Sequence, residues 1–200
     1  MANYRTVRII PVAFILIIAA LAVAALFSMA RGIFFPDAVT DTSTIQSGHS
    51  SLISTTAGRS VKMTVRGPVV AEEEFRSFDI IVSPNQRQLV TYQGHMATVL
   101  ENVKLSNNIP SYEEFVYALD DARMMSSPEH KGSANDKRGV CARGYLYDFS
   151  IYNDDKLVKE LWTTSCSDER GSLDAKSLPL RRLFIDQIPT AKSITDKLWR

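Results

Sequence analysis

Cysteine is scarce in this chain: two occur in 200 residues, Cys141 and Cys166. That is too few for a disulfide-dense miniature scaffold or a four-cysteine zinc site. The three histidines, His49, His95 and His130, are scattered, and none stands at the short spacing of metal ligands. Charge of one sign is missing as well. The formal net charge is +1, without the basic surplus or stripe of a nucleic-acid binder. The sequence has no G-x-S-x-G elbow, no G-x-x-x-x-G-K-[ST] loop, no G-x-G-x-x-G turn, no H-E-x-x-H helix and no EF-hand loop. The expectation is no cofactor, no metal, no nucleic-acid partner and no catalytic residue set by motif.

One long apolar run is present. Residues 9–27 read IIPVAFILIIAALAVAALF, without a charged or strongly polar side chain. As a helix this run is about 28 Å long, close to the thickness of a bilayer's hydrocarbon core. Pro11 falls in the first turn, where its missing N–H costs little. Arg5 and Arg8 flank the amino side, which favours an inside amino terminus. Ser28 and Ala30 make a passable cleavage site, but the run exceeds the about 7–15 apolar residues of a signal peptide, so an uncleaved anchor is expected. A pilin-like reading fails, because residues 9–27 carry no carboxylate and no glycine precedes them.

Behind the anchor, residues 36–59 contain ten serines and threonines and show no sustained periodicity. Such a composition buries too little apolar surface to offset the entropy of ordering. The expected division is therefore a cytoplasmic amino terminus (1–8), a transmembrane helix in the lipid bilayer (9–30), a flexible linker (31–59) and an extracytoplasmic α+β domain (60–200). The dipeptide His49-Ser50 lies within the linker and is not read as a catalytic dyad.

From residue 60 the texture changes. SVKMTVRG alternates Val61, Met63 and Val65 with Lys62, Thr64 and Arg66, the pattern of a half-buried strand. FRSFDIIVS and LVTYQG read as a strand pair around the turn SPNQRQ. HMATVLENVKL suits either a strand or a helical face, and the strand is preferred. PSYEEFVYALDDARMM reads as a helix with a Ser111–Glu114 capping box and an apolar stripe of Tyr112, Phe115, Val116, Leu119 and Ala122. SSPEHKGSANDKRG reads as a polar, mobile loop. A hairpin with Asn153-Asp154-Asp155 as its turn follows, then a second helix through LPLRRLFIDQIP, with Ser177 as cap and Pro189 as stop. SITDKLWR is left as a last helical turn or a tail. Strands joined by short turns imply an antiparallel sheet, with two amphipathic helices covering one face.

The stretches RGPVVAEEEFRSFDIIVSPNQRQLVTYQG, YEEFVYALDDA and LFIDQIP, with the spaced Cys141 and Cys166, cover much of residues 60–190. Over these stretches the chain resembles uncharacterised single-anchor proteins of Saccharibacteria-type small bacteria. The resemblance implies a cell-surface location and no particular activity.

Few residues are candidates for chemistry. Glu72, Glu73 and Glu74 form the densest acidic cluster, but consecutive side chains diverge, so a solvated edge is expected. Lys131, Lys137, Arg138 and Arg143 are a basic run suited to anionic wall polymer or lipid headgroups, or simply a soluble loop. Arg181-Arg182 reads as the wet face of the second helix. Two functions stay open. One is a membrane-anchored, non-catalytic extracytoplasmic module for surface binding, adhesion or envelope assembly. The other is an envelope enzyme or enzyme modulator acting on peptide or glycan, with Glu72, Glu73, Glu74, Asp148 and Glu160 as its acids. A concave pocket lined by converging ionisable groups would separate the second from a flat or convex surface.

Cys141 and Cys166 lie symmetrically about Asn153-Asp154, so a two-residue turn there would place them directly opposite each other at the open end of the hairpin. Opposed residues of an antiparallel pair are within disulfide range. A Cys-x-x-Cys motif is absent, and neither thiol has a nearby histidine in sequence to act as zinc partner or base. A structural disulfide is expected.

Overall fold

The computed structural model describes residues 48–96, 98–167 and 171–199. All of them belong to one compact unit that runs from Thr42 to Arg200. The anchor assigned to residues 9–30 lies outside the described residues, as does the linker up to residue 47. No helix among the described residues is long and apolar enough to cross a membrane.

Six antiparallel strands form one sheet: β1 (Arg59–Arg66), β2 (Arg76–Val82), β3 (Gln86–Gln93), β4 (Thr98–Ser106), β5 (Leu146–Asn153) and β6 (Lys156–Thr164), in the order β4-β3-β2-β1-β5-β6. β1 to β4 step outward one after another, and β5 returns to the free side of β1. The ambiguous segment after His95 is therefore strand. Helices α1 (Ile109–Asp121), α2 (Ser177–Ile185) and α3 (Ala191–Leu198) complete an α+β domain. Of the two readings left open for SITDKLWR, a helical turn or a tail, the helical one holds, as a full third helix.

The period-two pattern of β1 sets the two faces. Met63 stands opposite Ile80 and Phe149, and the row continues to Leu89 and Val103 on one side and Leu161 on the other. One apolar row thus crosses all six strands. α1 and α2 cover it: Phe115 meets Phe184 edge-on at 5.2 Å, and Phe184 lies 6.0 Å from Phe149. Each such fully buried side chain contributes about 1.5–3 kcal/mol relative to exposure. Tyr112, Phe115, Val116 and Leu119 are buried, as the helical stripe implies.

The helix starts differ from expectation. Asn108, not Ser111, caps α1: its side-chain oxygen accepts from Ser111 N at 2.9 Å, and Pro110 fits the first turn. α2 begins at Ser177 itself, after Lys176, without a side-chain cap.

The linker boundary is corrected too. Residues 48–52 form a helical turn of the same compact unit, with Leu52 fully buried in the core. His49 Nδ1 lies 2.7 Å from Asp120 Oδ1 on the last turn of α1. The averaged Ser/Thr composition hid one leucine that lands on the core and one imidazole with a carboxylate partner. The Ser/Thr-rich spacer can therefore extend no further than residue 47.

Cys141 and Cys166 are disulfide-bonded, with Cα atoms 5.7 Å apart. The reasoning from the hairpin midpoint, however, used the wrong register. The turn falls on Asp154 and Asp155, and a bulge between Ile151 and Tyr152 adds a further offset, so Leu146 opposes Thr164. Tyr145 and Ser165 extend that register, with Ser165 N donating to Tyr145 O at 2.9 Å. Cys141 reaches Cys166 because residues 141–144 turn back, with Cys141 at φ 52° and Gly144 N donating to Cys141 O at 2.9 Å. The bond closes a turn onto the hairpin; it is not a rung of the ladder.

Candidate functional site

The sheet face opposite α1 and α2 carries two of the five acids proposed as catalytic, Asp148 and Glu160. One residue along from the apolar row runs a polar one: Asn102, Val90, Asp79, Thr64, Asp148 and Trp162. Asp79 and Asp148 flank Thr64 from either side, and both carboxylates are almost fully buried. Thr64 Oγ1 donates to Asp79 Oδ1 at 2.6 Å, while Lys62 Nζ stands 4.0 Å from Asp79 Oδ2. Burial pushes the Asp79 carboxyl above its ordinary value; the Thr64 hydrogen bond, Lys62 and Arg66 oppose that shift, and the Asp148 charge adds to it.

Asp148 has a cation on each oxygen. Arg66 Nη2 donates to Oδ2 at 2.6 Å, and Lys137 Nζ donates to Oδ1 at 2.5 Å. Lys137 also donates to Glu160 Oε2 at 2.6 Å. Asp148 and Glu160 are thus brought together, but by a lysine that occupies the space between them. Both carboxylates are paired with cations inside the protein, which suits a structural ion network better than a general acid and base.

The loop that supplies Lys137 is packed rather than free. Trp162 Nε1 donates to Asn135 Oδ1 at 2.8 Å, and Glu160 N donates to Glu129 Oε1 at 2.7 Å. Nor does the basic run form one patch. Lys137 is consumed by Asp148 and Glu160, and Arg138 pairs with Asp136 at 2.5 Å, holding that carboxyl down at about 2. Lys131 and Arg143 remain exposed. Glu72, Glu73 and Glu74 are exposed in the turn before β2, apart from this network. That turn is held by the Glu73 carbonyl, which accepts from Arg76 Nη1 at 2.6 Å and Gln93 Nε2 at 2.8 Å. Among the described residues no three histidine, cysteine, aspartate or glutamate side chains converge as metal ligands.

A concave site lies on the other face, where α2 and α3 overhang the sheet. It is a cavity of about 470 Å³, within the range of small-ligand pockets. Met63, Val65 and Phe78 of β1 and β2 form its floor. Tyr145, Tyr147 and Trp199 supply aromatic walls, Trp199 meeting Tyr145 edge-on at 5.0 Å. Gly67 lets the Trp199 ring approach, because a Cβ there would run into it. Leu178, Arg181, Arg182 and Ile185 of α2 face the cavity at three- and four-residue spacing, and Lys192 and Asp196 of α3 stand opposite. Arg181 places its guanidinium carbon 4.5 Å above the Tyr147 ring. Burial raises the Tyr147 hydroxyl above its ordinary value, and the Arg181 charge partly opposes that.

Arg181 and Arg182 are therefore not simply the wet face of their helix. The signal that could have found them is the i, i+3, i+4, i+7 row of Leu178, Arg181, Arg182 and Ile185. It runs beside the buried row of Leu180 and Phe184 and is too mixed in polarity to read as core. The surface is concave with converging ionisable groups, but these are not the acids singled out from the sequence.

No protein-family model matches the chain, and comparison with curated proteins finds no relative.

Proposed function

We propose that this chain is a membrane-anchored, extracytoplasmic binding module without catalytic activity of its own, serving surface binding, adhesion or envelope assembly. Residues 9–30 tether it to the bilayer and residues 31–47 act as spacer. The observation that carries the reading is the Cys141–Cys166 disulfide, the kind of bond that persists in oxidising, extracytoplasmic compartments. Arg5 and Arg8 ahead of the apolar run support the same orientation. The neutralisation of Asp148 and Glu160 by Arg66 and Lys137 supports binding over catalysis. The resemblance to single-anchor surface proteins agrees with the location.

A second reading, an envelope enzyme or enzyme modulator, draws on one observation: the cavity beneath α2 and α3 gathers several ionisable groups.

Protease added to intact cells tests the location. It should digest the chain from its carboxyl end and leave a short membrane-protected amino-terminal piece. A carboxyl-terminal tag that survives in intact cells and disappears after lysis refutes the proposed topology.

A further inference from the structure

We infer that the cavity between the sheet and α2–α3 is a binding site for an anionic ligand with an apolar, ring-sized body, Arg181 receiving the acid group. The inference deepens the binding reading above and rests on it. Arg181 is half-buried and fixed over Tyr147 at 4.5 Å, yet among the described residues its guanidinium has no carboxylate within 4.0 Å and no side-chain hydrogen bond. On the other sheet face, by contrast, Arg66 and Lys137 are each closed onto buried Asp148. Held over Tyr147 without a protein acceptor, the guanidinium presents a planar fork that fits a carboxylate or phosphate with two parallel hydrogen bonds. The counter-charge that the protein withholds is the ligand's to supply.

The rest of the cavity sets the ligand's other end. Its floor is buried aliphatic and aromatic surface, Met63, Val65 and Phe78, with the Trp199 ring beside it. The apolar surface open to water in the cavity comes from Leu178, Tyr145, Ile185 and Trp199, and it gains nothing from a small hydrated anion and gains from an apolar body that displaces water. At the rim, Arg182 and Lys192 join Arg181 against Asp186 and Asp196, so three cations face two carboxylates and the mouth stays net positive. A carboxylate and a phosphate share this chemistry.

The test uses the oxidised full chain in lipid nanodiscs, with empty nanodiscs as blank, and three water-soluble probes of one ring system: 2-naphthoate, 2-naphthyl phosphate and the neutral 2-naphthamide. Isothermal titration should give one site, with at least one of the acids binding about tenfold or more tighter than the amide; the tighter acid names the group. Arg181→Gln should weaken the acids about tenfold and change the amide by less than about twofold. Leu178 is half-exposed at the mouth, so Leu178→Trp should leave the fold intact, fill the opening and abolish binding of all three probes. Thermal unfolding midpoints within about 2 °C of wild type certify both variants. Equal affinity for acid and amide, no binding above the blank, or indifference to either substitution in a folded variant overturns the inference. None of these outcomes bears on topology, which the protease experiment decides separately.

Discussion

Replacing Cys141 and Cys166 together by serine should destabilise the domain by about 3.5 kcal/mol. The cross-link joins positions with a sequence separation of 25. The chain-entropy expression for a closed loop of that size gives about 11.7 cal/mol/K lost from the unfolded ensemble, which is about 3.5 kcal/mol at 25 °C. For a domain of this size, that corresponds to a fall of about 7–14 °C in the unfolding midpoint. Local structure should follow. Cys141 is buried and sits in a left-handed turn, and the turn's exit is held by Tyr145 N donating to Ser165 Oγ at 2.8 Å. Circular dichroism melts of wild type, wild type in reductant and the double variant measure the effect, and reductant should reproduce the double variant. A shift below about 2 °C, or two thiols that alkylate freely in folded protein from intact cells, would refute the staple.

Lys137→Met should cost about 2–3 kcal/mol, less than the loss of a fully buried ion-pair partner, because Arg66 still holds Asp148; a double-mutant cycle with Asp148→Asn, read by denaturant melts, should show coupling above about 1 kcal/mol. Asp79 binds its proton more readily in the folded chain than in the unfolded one, so its contribution to stability is present below the unfolded value of 3.8 and is lost as pH rises through the higher folded value. Asp79→Asn, whose amide oxygen still accepts from Thr64, should therefore be more stable than wild type at pH 7, with the advantage shrinking toward pH 4; an advantage that grows on acidification contradicts the burial argument. Leu52→Ala should cost about 2–4 kcal/mol if residue 52 is core, and nearly nothing if the segment is only spacer, a difference that urea melts resolve.

What the sequence decided alone was local. Alternation in residues 61–65 named β1 and its two faces, the 112–119 stripe named α1 and its buried side, and the two cysteines of an extracytoplasmic reading named the disulfide. Each follows from a period of two or about 3.6 residues, or from an inventory, and needs no knowledge of distant neighbours. The hairpin register was beyond reach because one bulge at Ile151 shifts every pair beyond it. Leu52 vanished into a Ser/Thr-rich average. The largest gap lies in the charges. Arg66 and Asp148 are 82 positions apart and meet only because β5 returns to lie beside β1. Lys137 looked like part of a basic patch until the fold placed two carboxylates around it, and Arg181 looked solvated until α2 was set over Tyr147. Strand order and helix placement decide whether a charge is neutralised or left waiting, because Coulomb interaction and desolvation depend on distance in space and not along the chain.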